Sequence, residues 1–505
     1  MGADKTMTES KNMTAFKRIL GAVSDLCASA ELLDWDMHTF MPPGSIDSRS
    51  HQIATLQETA HEKMVSPELG KLLGKLEKET ADLDPDSDDF RLVRKIRREY
   101  DRETGTPADW VRRNAEAAAR ANTAWEKARE QNSFKIFEPS LRELLQLKLE
   151  YISFFPKTEH PYDILLDRFD EGMTCSAVSS LFSVLKKEQG KILRKALSRK
   201  YGNSDFLKGK FPAAKQIALT RKVLTRMGFD WNCGRQDRSI HPFTASFGLY
   251  DVRITTKTLV HAPFSSLFSS IHEGGHALYE QGIDKRYART PFAEGASFSV
   301  HESQSRLWEN IVARSPEFWK WFYPEVCAAY PDQLKGISMK KFLAALNKPE
   351  ASPIRTEADE LTYNMHIILR FELEKAMIEG TLKTEDLPDA WNQGMKKLLG
   401  IEVKNDKEGV LQDIHWAMGE FGYFPSYAVG NVISAQVWDA ALEELPSIPK
   451  EIGKGNFAPL REWLRTNLHC YGAKYTTSEL LEKITSSPLP DPKPYLEMLN
   501  QKYGE

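Results

Sequence analysis

Apolar residues recur at helical spacing along most of the chain. Phe16, Ile19, Leu20, Val23, Leu26, Cys27 and Ala30 fall on one face of a 3.6-residue spiral and predict an amphipathic helix near the start. Similar stripes cover 46–80, 176–201, 296–314 and 357–380. Thr106-Pro107 reads as a further helix start, with a hydroxyl for the N-cap and a proline at the first helical position. Asp109 follows in the first turn, and the alanine-rich run Ala115–Ala124 propagates the helix. Pro/Gly/Asp clusters at Leu83–Asp88 and Pro488–Pro494 predict connections. None is long or polar enough for an interdomain linker, and no internal repeat is present, so one continuous helical body is expected.

One region changes period. Phe243, Ala245, Phe247 and Leu249 alternate with Thr244, Ser246, Gly248 and Tyr250. Val252, Ile254, Thr256, Thr258 and Val260 then alternate with Arg253, Thr255 and Lys257. Period-2 patterning with β-branched residues around Gly-Leu-Tyr-Asp predicts a small antiparallel hairpin.

Composition narrows the class without naming a chemistry. Among 505 residues, 68 Lys+Arg meet 71 Asp+Glu, and 41% are hydrophobic, which excludes a disordered or collagen-like chain. A formal charge of −3 lacks the basic excess of a nucleic-acid binder. The basic run Arg91–Arg102 is accordingly expected to be a solvated helix face. Cys27, Cys175, Cys233, Cys327 and Cys470 form no CxxC pair, so reduced, mostly packed thiols are expected. No apolar run approaches the ~18 residues of a membrane span, so no membrane insertion is expected. The polar start lacks a signal-peptide core, which makes the cytosol the expected address. Residues 1–13 are expected to be a disordered tail, although Met1–Thr6 fits the loose myristoylation pattern.

The chemistry begins just after the hairpin. His272-Glu273-Gly274-Gly275-His276 spells H-E-x-x-H. On a helix, positions i and i+4 share a face, so two imidazoles can meet one zinc ion with Glu273 beside it as base. Leu267, Phe268, Ile271, Leu278 and Tyr279 supply the apolar face, and Gly282 the stop. Gly274 and Gly275 each cost about 1 kcal/mol mid-helix relative to alanine, so something must approach closely there. Five of the 12 histidines (His241, His261, His272, His276 and His301) fall between 241 and 301. A catalytic zinc keeps three protein ligands. Glu302, in the run HESQSRLWEN, is the best third candidate, with His301 as the alternative.

The motifs then resemble one family. HPF at His241–Phe243, DVRIT at Asp251–Thr255, HEGGH at His272–His276 and HESQ at His301–Gln304 stand in the order of the carboxypeptidase Taq metallocarboxypeptidases. IRTEAD at Ile354–Asp359 and GVLQDIHW at Gly409–Trp416 complete the series, and the likeness runs from about residue 14 to 503. The resemblance implies a mainly α-helical zincin related to neurolysin- and angiotensin-converting-enzyme-like peptidases. In such a fold, residues 14–505 form one catalytic domain of two helical halves flanking a deep groove, with the small antiparallel sheet beside the active site. It implies His272, His276 and Glu302 as ligands of one divalent metal per chain and Glu273 as base; ligand chemistry makes zinc the expected metal, ahead of cobalt or manganese. It also implies a homodimer, and a substrate C-terminus held by the IRTEAD and GVLQDIHW motifs.

The expected reaction is release of single C-terminal amino acids from peptides with a free C-terminus. Arg355 is the candidate clamp for the terminal carboxylate, since a guanidinium makes two parallel charge-assisted bonds. Gln412, His415 and Arg253 join it as substrate-binding candidates, while Asp413 or Asp359 is expected behind a ligand imidazole. Tyr423, in GEFGYFPSY, and His241 compete as oxyanion donors. The strand near Thr255–Val260 is expected to pair with the substrate backbone. An endopeptidase or dipeptidyl-carboxypeptidase built on the same centre is the rival enzyme, and a helical binding scaffold the rival outside catalysis.

Overall fold

The computed structural model describes residues 10–504. The Gly2 site and most of the expected tail lie outside those residues. The first helix, Lys11–Thr39, starts earlier than expected: the Ser10 hydroxyl accepts from the Met13 N–H at 3.0 Å, and Met13 is already buried. Phe16 and Leu20 follow it into the core as the stripe predicts.

Most expected helices form, with boundaries set by local polar chemistry. The 46–80 stripe divides into Ile46–Met64 and Pro67–Thr80, because Ser66 caps a new helix with Pro67 at its first position. Thr106 closes the preceding helix instead of opening the next one. Its hydroxyl donates to the Arg102 carbonyl at 3.0 Å, and Pro107 takes the N-cap position of Ala108–Gln131. The 357–380 stripe starts late, at Tyr363, because the Asp359 carboxylate accepts from the Leu361 and Thr362 N–H groups in a turn. The 296–314 stripe begins at Phe298 behind the Ser297 cap, then widens after Arg306 into a π-helical turn, Leu307–Val312.

The sheet has three strands, β1 (Gln236–Arg238), β2 (Thr244–Ser246) and β3 (Val252–Thr256), in the order β1-β3-β2. β2 and β3 are the predicted antiparallel pair, with Thr244 opposite Ile254 and Ser246 opposite Val252. β1 runs parallel to β3 and left no periodic signal in its three polar residues. This corrects the expected substrate strand. β3 is paired on both sides and 257–260 is not in a strand, so the edge strands are β1 and β2, of which β2 lines the cavity described below.

The mid-helix glycines meet the close approach they imply. The helix Pro263–Gly282 carries HEGGH, and a Cβ on Gly275 would lie 2.7 Å from the backbone of Gln304 and Ser305. A Cβ on Gly430, in the helix Pro425–Glu444, would lie 2.9 Å from the Glu302 side chain. Three helices therefore pack backbone to backbone around Glu302. All five thiols are free, but only Cys175 is buried, while Cys27 is exposed, so they are less packed than expected. No helix among the described residues is long and apolar enough to cross a membrane.

Candidate metal centre

The HEGGH helix delivers both histidines to a cavity of about 850 Å³, and the next long helix delivers Glu302. The Nε2 atoms of His272 and His276 lie 3.6 and 3.5 Å from Glu302 Oε2, and all three ligand atoms fall within 4.8 Å of one another. Two ligands 2.0–2.1 Å from a tetrahedral metal stand about 3.4 Å apart. The donor set and its spacing therefore fit a divalent metal.

Each ligand is gripped from behind, which fixes its orientation. His272 Nδ1 meets Glu309 Oε2 at 2.9 Å, and Glu309 is turned inward by the π-helical turn. His276 Nδ1 meets His301 Nδ1 at 2.5 Å, and His301 Nε2 meets Glu280 at 2.7 Å. His301 therefore meets His276 and Glu280 and is not one of the three converging residues. Arg306 Nε donates to Glu302 Oε1 at 2.6 Å. Burial opposes the charge on Glu302, yet Arg306 and His272 hold its carboxyl far below the usual range. Burial takes the His276 imidazole down to about 3, which keeps it neutral and able to ligate. On His272 burial is outweighed by Glu302 and Glu309, and its pKa is raised.

Glu273 is 7% exposed, lines the cavity and is raised by burial above the usual carboxylate range. The Thr244 hydroxyl donates to its Oε2 at 2.7 Å and lies 3.0 Å from its carbonyl oxygen. Thr244 and Ser246 face the cavity because they occupy alternate positions of β2. Tyr423 and Tyr427 also line it, and burial pushes the Tyr423 phenol up to about 12, so it stays protonated and able to donate.

Several sequence candidates are placed elsewhere. Ala245 and Arg253 are paired on the opposite face of the sheet; Arg253 is held by Asp251 and stacks on Trp35 at 4.5 Å. His241 is exposed and does not line the cavity, although Pro242 and Phe243 do. Arg355 is 7% exposed: Asp413 Oδ1 takes its Nε at 3.0 Å, and it donates to the Tyr363 hydroxyl at 2.9 Å. Gln412 accepts from the Arg355 N–H and from Arg370, and gives its own amide to main-chain carbonyls. His415 stands behind Tyr427, with Nε2 3.2 Å from that hydroxyl. Asp413 binds Arg355 and Arg370, and Asp359 caps a turn, so neither meets the His272 or His276 imidazole; Glu309 and His301 do. The basic run is not simply solvated either. Lys95, Arg98 and Arg102 line the cavity, Arg98 and Arg102 both meeting Asp167 and Lys95 meeting Glu294. Arg168 lines the same wall, and its partners are the rings of Tyr151 and Phe169.

A helical body with an HExxH helix, a carboxylate from the following helix and a glutamate beside them defines a metal-dependent hydrolase. The family model for carboxypeptidase Taq (M32) metallopeptidases matches residues 15–503. The chain belongs to that family and is a peptide hydrolase with a divalent-metal centre. It is 37% identical over 504 residues to thermostable carboxypeptidase 1 of Thermus thermophilus, covering 98% of each chain. Carboxypeptidase 1 of Bacillus subtilis is 35% identical over 490 residues, 97% of each. The crystal structure of the M32 carboxypeptidase from Deinococcus radiodurans superimposes with a TM-score of 0.95 at 37% identity, covering 98% of this chain and 99% of that one. Metallocarboxypeptidase 1 of Trypanosoma cruzi gives 0.93 at 32% identity, covering 98% and 100%.

Proposed function

We propose that this chain releases single amino acids from peptides with a free C-terminus, as a cytosolic homodimer using one zinc ion per chain, with cobalt the alternative. One catalytic domain, residues 14–505, forms the two walls of the groove. The observation that carries the reading is the convergence of His272, His276 and Glu302 beside Glu273 on one cavity. The metal, when bound, acidifies water and polarises the substrate carbonyl.

The protein's own groups do the rest. Glu273, buried with a raised pKa and held by Thr244, takes the proton from the attacking water and returns it to the leaving amine. Tyr423 donates to the developing oxyanion, with Tyr427 packed against it at 5.2 Å between ring centres. The free edge of β2 gives the substrate backbone hydrogen-bond partners. For the terminal carboxylate the geometry favours Arg168, which lines the cavity and has no carboxylate partner among the described residues, over Arg355, which Asp413 occupies. Arg355, Gln412 and His415 act through Tyr427, over whose ring the Arg355 guanidinium lies at 5.0 Å.

Mass spectrometry of one unlabelled peptide tests the reading. Stepwise loss of single C-terminal residues is expected, with the amidated peptide resistant. Internal cuts or paired losses would assign the same centre to an endopeptidase or dipeptidyl-carboxypeptidase. Elemental analysis of the purified protein reads which metal it carries.

A further inference from the structure

Phe298 is large and apolar, yet 48% exposed, and it stands on the wall of the catalytic cavity. Single exposed aromatics are ordinary on protein surfaces. This one belongs to a group. Its ring centre lies 5.6 Å from Phe169 and 5.2 Å from Tyr423, those two lie 5.1 Å apart, and all three line the cavity. Interplanar angles of 83°, 70° and 83° are edge-to-face, the favoured arrangement of packed rings.

The patch is rigid. The Phe298 N–H donates to the Phe169 carbonyl at 3.1 Å, and the neighbouring Asp170 carboxylate accepts from the hydroxyls of Ser299 and Thr477. It is also close to the chemistry. Phe298 precedes Glu302 by four residues on one helix face, which places their Cβ atoms about 5–6 Å apart. Arg168 lies 5.6 Å over the Phe169 ring, so a guanidinium and an apolar surface meet in one place.

We infer that Phe298, with Phe169 and Tyr423, forms the pocket for the side chain of the released residue and selects large apolar, above all aromatic, C-terminal residues. A side chain laid there covers the exposed ring, whereas glycine leaves it in water and glutamate loses its own hydration. The inference rests on the carboxypeptidase reading above, with Arg168 holding the terminal carboxylate.

The test compares peptides that differ only at the last residue: Phe, Leu, Gly or Glu. Phe298→Ala is expected to lower the Phe-to-Gly ratio of kcat/KM by about 10- to 100-fold, with Phe298→Leu between it and the parent. A ratio within twofold of the parent in Phe298→Ala overturns the assignment. So does a change confined to peptides varied at the penultimate residue, which would put the rings on the other side of the scissile bond. If no peptide loses its last residue, the carboxypeptidase reading itself fails. Calorimetry of the same peptides on Glu273→Gln, with and without Phe298→Ala, still reads the pocket, and equal apolar preference in both overturns it.

Discussion

At the metal centre, Glu309, His301 and Arg306 hold the backs of two imidazoles and a carboxylate, while the front atoms converge on a cavity. Around Asp413 the ingredients are alike and the outcome is opposite. Asp413 Oδ1 takes Arg355 and Oδ2 takes Arg370 at 2.5–2.6 Å, while Gln412 bridges the two arginines. Both clusters are buried, carry strongly shifted carboxylates and come from the most recognisable motifs of the chain. One is closed by the protein and the other is left open in front. A carboxylate fully paired by its neighbours is architecture, whereas ligand atoms that converge with no partner in front of them are a site.

The largest effect should follow from removing a front atom. Glu302→Ala is expected to lose stoichiometric metal and all measurable peptide hydrolysis; full metal content by elemental analysis would break the ligand assignment. Glu273→Gln should keep the metal and lose about 100- to 10,000-fold in turnover, the worth of a general base. Undiminished kcat in that variant would remove Glu273 from the reaction.

The closed cluster should respond in stability instead. Arg355→Ala leaves Asp413 paired with Arg370 alone and should cost about 1.5–3 kcal/mol in urea unfolding, the worth of a charged hydrogen bond. Arg168→Ala should leave unfolding nearly unchanged and raise KM for peptides with a free C-terminus. The reverse pattern would make the Asp413 cluster a substrate site.

The smallest expected effect concerns Glu374, fully buried behind the Tyr423 loop, where it accepts from Tyr162, from Trp416 at 2.7 Å and from the Gly422 N–H at 2.8 Å. Burial raises its pKa from 4.5 to about 7. The folded chain then binds this proton more tightly than the unfolded one. The stability so gained is fully present below 4.5 and is lost as pH rises through about 7. Glu374→Gln should flatten the urea-unfolding profile across that interval. An unchanged slope would mean that Glu374 is already ionised throughout.

The sequence alone determined the helical class, the hairpin and the HEGGH histidine pair, while Glu302 as its partner, ahead of His301, came from the family resemblance. Those signals are local: a 3.6-residue stripe, a 2-residue alternation, and two histidines one turn apart on a glycine-bearing helix. Gly274 and Gly275 implied a close approach, which proves to be the Leu224 side chain at the first and the Gln304–Ser305 backbone at the second. Tertiary structure decided what long-range geometry alone can decide. Glu309 reaches His272 from a π-helical turn 37 residues on, and Thr244 reaches Glu273 from β2, which lies against that helix. Arg253 was lost to the opposite face of β3 by the same alternation that predicted the strand. Arg355 was turned inward by Asp413, 58 residues away in sequence. Short-range spacing fixes which groups a helix or strand can present together, because the backbone repeats are rigid. Which of those groups face a cavity and which face a partner is settled when distant elements pack, since only then is each buried charge either closed or left open.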